Sequence, residues 1–384
     1  MKKLTALMLA MVMVMALLAG CGSSAPADAS AAGAIKLGMC GPLTGGAAVY
    51  GTAVQAGMEI AVEEINAKGG LQFALNCQDD EHDTEKAANA YNTLKDWGMQ
   101  IMAGPVTTAP SNVVAGECAN DGIFMLTPSA SGASVIEYGD NIFQVCFTDP
   151  NQGVASADYM ATHDLGTTIG VIYDSSDVYS AGIFEKFDAQ AKANGLNIAC
   201  VEAFTADNKA DLTTQVTKCQ EAGCDVVFLP FYATEAAQVL TYANKIGYNP
   251  VFFGCDGMDG ILAVEGFDPA LAEGLMLLTP FSADADDEAT KSFVAKFQEK
   301  TGIIPNQFAA DAYDVIYALA QACENAGVTA DMSAQDVNAK LIEQFTSMTF
   351  DGLTGKGMTW AATGEVSKSP MAVVIKDGVY VGVE

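Results

Sequence analysis

Two successive stretches of this chain alternate short Val- and Ile-rich runs with helical patterns, and that alternation limits its fold more than any other feature. Apolar runs joined by helices are the mark of parallel strands buried on both faces. The first stretch reads as strands over Ile35–Met39, Phe73–Cys77, Gln100–Ala103, Ile123–Leu126 and Ile142–Phe147. Between the first two, Val54, Met58, Ala61, Val62 and Ile65 recur at helical spacing. Lys68-Gly69-Gly70 then closes that helix with a cation followed by glycine. Another helix reads over Thr84–Trp97. The pattern restarts after Asp149-Pro150-Asn151-Gln152-Gly153, with strands over Thr168–Ile172, Ile198–Ala203, Val226–Leu229 and Val251–Phe253. Helices begin between them near Ser180, Asp211 and Glu235. Ala312, Val315, Ile316, Leu319, Ala320 and Cys323 mark a later amphipathic helix, and Met371–Val383 reads as a hairpin turning at Asp377-Gly378. The expectation is an α/β fold of two similar lobes, each a parallel sheet with helices on both faces.

The amino end follows a different logic. Lys2 and Lys3 precede an apolar run from Leu4 to Leu18, and Leu18-Ala19-Gly20-Cys21 closes it. Basic, apolar, then small is the order of an export leader, and the run is shorter than the roughly 20 residues of a membrane span. A Cys directly after the small residues resembles a bacterial lipoprotein signal. That implies a signal peptide over residues 1–20, lipid on Cys21, and a protein anchored to the outer face of the cell membrane. Residues 21–34, rich in Gly, Ser and Ala, read as a flexible tether.

A chain of 384 residues, half of them hydrophobic, exceeds one small core, which agrees with two lobes. Its net charge of −29 repels phosphate backbones and disfavours nucleic-acid binding. Beyond Cys21 there are nine cysteines, an odd number that cannot pair completely within one chain. Most sit in apolar contexts where a free thiol behaves as a small hydrophobe. No C-x-x-C pair occurs, so no zinc site is expected. The run Asp79-Asp80-Glu81-His82-Asp83 lacks the spacing of a calcium loop and reads as a solvated loop.

Open α/β sheets bind ligands beyond the carboxyl ends of their strands. Here those ends carry Gly41-Pro42-Leu43-Thr44-Gly45, Gly104-Pro105-Val106-Thr107-Thr108 and Thr127-Pro128-Ser129-Ala130-Ser131. In the second stretch they carry Pro230-Phe231-Tyr232 and Gly254-Cys255-Asp256-Gly257. Thr108 and Ser131 lie where strands give way to helices, so each offers a hydroxyl and a main-chain donor to a carboxylate. Asp256 suits an ammonium, which is costly to bury unpaired. Simpler roles stay open: helix capping for Thr108 and Ser131, a turn for Asp256, lobe packing for the aromatic residues named below.

In order, these strand ends resemble the substrate-binding proteins of branched-chain amino-acid ABC transporters. Glu64-Ile65-Asn66-Ala67-Lys68-Gly69-Gly70, Asp149-x-x-Gln152-Gly153 and Tyr313-Asp314 extend the likeness over nearly the whole exported part. The resemblance implies a type I periplasmic-binding fold with three crossovers. Lobe one would span 35–148 and 280–350, lobe two 149–279 and 351–384. It implies a ligand clamp of Thr108, Ser129, Ser131, Tyr232 and Asp256, with Tyr50, Tyr179 and Phe308 as the apolar wall. Asp256 is shorter than the Glu of the best-known leucine binders. Thr107 and His82 stand at or near positions where some relatives carry a disulfide, so that crosslink is expected to be absent. A permease and an ATPase would be the partners, and the protein a monomer.

An enzyme needs a nucleophile, an acid–base pair, a metal or a cofactor. Only His82 and His163 occur, and neither a G-x-S-x-G, a phosphate loop nor a dinucleotide fingerprint is present. The expectation is a binding protein without cofactor or metal. Alternatives are the same fold holding an aromatic acid, urea or a short amide, a sensory receptor without transport, and an exported hydrolase.

Overall fold

The computed structural model describes residues 33–383. The leader, Cys21 and most of the tether lie outside the described residues. Among those described, no helix is long and apolar enough to cross a membrane.

The first sheet holds β1 (Ile35–Gly41), β2 (Phe73–Asp79), β3 (Ile101–Met102), β4 (Phe124–Thr127) and β5 (Ile142–Gln144), in the order β2-β1-β3-β4-β5. All its pairs are parallel. Helices α1 (Ala48–Lys68), α2 (Thr84–Trp97) and α3 (Thr108–Asp121) connect its strands. Asp83 caps α2 by accepting from Lys86 N at 2.9 Å, and Gly98 closes it in the left-handed region.

The second sheet holds β6 (Ile169–Asp174), β7 (Ile198–Phe204), β8 (Val226–Leu229), β9 (Val251–Gly254) and β10 (Met276–Thr279), flanked by a hairpin of β11 (Met371–Lys376) and β12 (Val379–Val383). The order is β12-β11-β10-β9-β8-β6-β7, parallel from β7 to β10 and antiparallel beyond. Helices α4 (Asp149–Thr162), α5 (Val178–Ala193), α6 (Thr213–Glu221) and α7 (Ala233–Lys245) cover it. Strand β10 was not among the sequence-based expectations, although Leu275-Met276-Leu277-Leu278 is an apolar run between Gly274 and Pro280. The hairpin turns at Asp377-Gly378, both at positive φ.

Three further helices, α8 (Glu288–Thr301), α9 (Gln307–Ala326) and α10 (Ala334–Phe345), return to the first lobe. Helices α1 and α9 pack backbone to backbone, because a Cβ on Gly57 would stand 2.2 Å from the Ala309 carbonyl oxygen. The chain therefore crosses between lobes three times: before α4, between β10 and α8, and before β11. The sequence reading assigned everything from residue 351 to the second lobe. Trp360 Nε1, however, donates to Gln144 O at 2.9 Å, and Gln144 N donates to Gly364 O at 3.1 Å. Residues 350–368 thus lie on the first lobe, and only the hairpin joins the second sheet.

Candidate functional site

The carboxyl ends of the two sheets face each other across a cleft. Thr127 arranges the first lobe's side of it. Its Oγ1 donates to Pro105 O at 2.6 Å and accepts from Ala130 N at 3.0 Å. Those bonds align the start of α3 with the loop after β4. Thr108 opens α3, and the first-turn N–H groups of a helix have no partner within it. Thr108 does not cap its own helix, since its Oγ1 accepts from Gly132 N at 3.3 Å. Ser129 Oγ donates to Val106 O at 2.6 Å.

Across the cleft, Asp256 is 3% exposed at the end of β9. Its Oδ1 accepts from Tyr179 OH at 2.6 Å and from Gly257 N at 2.7 Å. Burial raises its pKa to about 6, against the pull of those bonds and with the charge of Asp311 adding to the rise. Asp149, at the start of α4, is buried beside it, and burial together with the Asp256 charge pushes its pKa well up. Neither Asp149 Oδ1 nor Ser131 Oγ has a hydrogen-bond partner.

The wall is aromatic. Tyr179 stacks on Tyr232 with centroids 4.9 Å apart, and Tyr50 meets Tyr232 at 5.3 Å and Phe308 edge-on at 4.9 Å. Tyr50 also ties the lobes together. From α1 it donates to Gly257 O at 2.6 Å and accepts from Ala233 N at 2.7 Å, both on the second lobe. Thr234 Oγ1 donates to Gly46 O at 2.7 Å, and Gln307 N donates to Asp259 Oδ2 at 2.8 Å. These bonds hold the cleft closed.

Of the eight residues expected to contact ligand, Thr108, Ser129, Tyr232, Asp256, Tyr50, Tyr179 and Phe308 line one void of about 250 Å³, most of it narrower than a water molecule. Ser131 stands behind that surface, next to Asp149, to which it is tied by a main-chain bond of 2.9 Å. A wider groove nearby, between Val49, Thr234 and Ile303, has exposed Glu265 as its sole charged lining residue. It offers nothing buried to hold an ionised group.

Sequence reasoning missed four contributors. Asp149 and Gln152 belonged to a recognised motif without a role, yet Gln152 Oε1 accepts from Asp256 N at 3.1 Å. Gly257 supplies the carbonyl for Tyr50. His82 reaches the cleft rim, its Nδ1 2.8 Å from Thr107 Oγ1 and its ring 5.4 Å from Tyr232. Burial lowers the His82 pKa to about 4. A hydrogen bond thus joins His82 to Thr107. The acidic run 79–83 is not a solvated loop throughout. Asp80 is fully buried, its pKa raised by burial to about 7, and Asp79 accepts from Leu43 N and Thr44 Oγ1 at 2.9 and 2.6 Å.

Residues 34–378 match the periplasmic binding protein family. A Leu/Ile/Val-binding protein homologue from Brucella melitensis is 28% identical over 91% of this chain and 94% of its own length. A leucine-, isoleucine-, valine-, threonine- and alanine-binding protein from Pseudomonas aeruginosa is 29% identical over 85% of each chain. The crystal structure of a leucine-binding protein from Thermotoga maritima superposes with a TM-score of 0.80 at 25% identity, covering 91% of this chain and 98% of that one.

Proposed function

This chain belongs to the periplasmic binding protein family, and from that premise we propose that it is the extracytoplasmic ligand-capturing component of an amino-acid ABC importer. The family is one of binding proteins, not enzymes. The ligand is a small amino acid with an apolar side chain, of the leucine, isoleucine or valine kind that the relatives' names carry.

One observation carries this reading: a helix start, a buried carboxyl group and an aromatic wall line the same void. The ligand carboxylate lies at the first turn of α3, where main-chain donors and the Thr108 hydroxyl converge. The ammonium faces Asp256. Of the buried carboxyl groups Asp149, Asp256 and Asp311, Asp311 is paired with the Lys368 ammonium and burial pushes Asp149 toward its neutral form, which leaves Asp256, on the void itself, in excess of cations. That excess favours a ligand bringing its own positive charge, which an aromatic acid lacks. The aromatic wall takes the apolar side chain.

Ligand bridging both lobes stabilises the closed form, and the permease recognises that form. The protein acts as a monomer, held to the outer face of the membrane by lipid on Cys21. Calorimetric titration with leucine, isoleucine, valine and benzoate tests the ligand class. Heat from the amino acids alone is expected, and binding of benzoate with silence from all three amino acids overturns it. Mass analysis of membrane-extracted protein tests the anchor, which fails if Cys21 carries no lipid.

A further inference from the structure

Three of the nine free thiols among the described residues converge in the second lobe, away from the cleft. Cys200 lies on β7, Cys219 on α6, and Cys224 follows that helix. The Cys200 and Cys219 sulfurs are 3.8 Å apart. Cys200 pairs with Gly170 on the neighbouring strand. An ideal Cβ on Gly170 would stand 3.0 Å from Cys219 Sγ and 3.1 Å from Cys224 Sγ. Glycine at this position is therefore what lets the sulfurs occupy the space beneath the helix.

The cluster is not placed as a metal site: among the described residues no group of three or more His, Cys, Asp or Glu is positioned to hold an ion. Accessibility divides the roles. Cys219 and Cys224 are buried, whereas Cys200 is half-buried and reachable from solvent. Burial raises all three thiols, Cys224 to about 11, so spacing and exposure rather than acidity select the reacting pair. Lys218, adjacent in sequence to Cys219, forms a 2.8 Å pair with Glu202, and its charge offsets only part of the rise that burial imposes on Cys200.

We propose that Cys200 and Cys219 are an oxidisable dithiol that closes into a disulfide between β7 and α6, with a low-molecular-weight disulfide as oxidant. The Cys200 thiolate attacks one sulfur of the oxidant, forming a mixed disulfide and releasing one small thiol. The Cys219 thiolate then displaces the second small thiol. The two protein thiols are thereby oxidised, and one oxidant disulfide is reduced to two thiols. An exported protein meets such oxidants outside the cytoplasm. The bridge staples the outer strand of the sheet to its covering helix and restricts the unfolded chain.

The test is to incubate the folded protein with glutathione disulfide, block residual thiols, and map the peptides without reduction. Expected are a Cys200–Cys219 linked peptide, a loss of about 2 Da from the intact chain, and a melting temperature raised by about 5 °C. Cys224→Ser should retain the link, and Cys200→Ser should abolish it. A glutathione adduct that persists on Cys200, a link to Cys224 instead, or no reaction before unfolding would each overturn the proposal. The peptide map of the unaltered protein decides the matter even if a variant fails to fold.

Discussion

Lys368 and Asp311 form a 2.6 Å ion pair in which each side chain is only 1% exposed. Lys368 lies on the third crossover, and Asp311 on α9 of the first lobe. The same ammonium donates to Thr354 Oγ1 at 2.6 Å, and Thr354 donates in turn to Asp314. The pair fixes the crossover to the first lobe just before the chain enters the hairpin of the second. Removing one partner of such a pair leaves a charge uncompensated in a dry site. Lys368→Met should therefore destabilise the protein by about 3–5 kcal/mol in urea unfolding. Adding Asp311→Leu should return most of that loss, and a double variant no better than the single would mean the pair is not the cause.

Asp256 is the predicted partner of the ligand ammonium. Asp256→Asn keeps the shape and removes the charge, so amino-acid affinity should fall by about 2–5 kcal/mol in calorimetry. Unchanged affinity would place the ammonium elsewhere.

Acidity should act oppositely on stability and on binding. Burial raises Asp256 and Asp177 to about 6, and Asp259 and Asp80 to about 7, from an ordinary 3.8. Between about pH 7 and 4 these groups take up protons in the folded protein before they do so in the unfolded chain. Their ionisation cost is absent below the unfolded value and returns as pH rises through 6 to 7. Ligand-free stability should thus rise on mild acidification, until the carboxylates held below the ordinary range, among them Asp79, Asp121 and Asp225, begin to protonate. Amino-acid affinity should decline below about pH 6, because Asp256 must then lose its proton to meet an ammonium. Chemical denaturation and calorimetry across that range measure the two trends, and parallel trends would refute the assignment.

Tyr50→Phe removes two bonds between the lobes and keeps the ring. It leaves Ala233 N–H and Gly257 O short of a partner in the closed form only. Ligand affinity should weaken by about 1–3 kcal/mol. Unfolding of the ligand-free protein should change less than ligand affinity does.

The alternation of apolar runs with helices was enough to read most strands of both sheets, though not β10; inner strands such as Phe124–Thr127 and Val226–Leu229 are buried throughout, the edge strands β2 and β7 only in part. Val226–Leu229 and the Asp377-Gly378 turn needed no tertiary knowledge. The course of residues 350–368 was not legible, because what holds that segment is Trp360 meeting a carbonyl 216 positions earlier. The cleft residues were readable where they terminate strands. Asp149 and Gln152 were harder, as they act from inside a helix start and through Asp256, and Lys368 finds Asp311 across 57 positions. The burial of Asp80 within an acidic run was hidden for the same reason: composition reports charge, not depth.

The described chain begins at Gly33, beside the first strand of the first sheet, and ends at Val383 in the hairpin of the second. Its two ends therefore ride on different jaws. A leash at the amino end would pin one jaw near the bilayer and leave the other to swing. A pair of dyes placed at the two ends would report each capture event as a change in energy transfer, with no label near the bound solute.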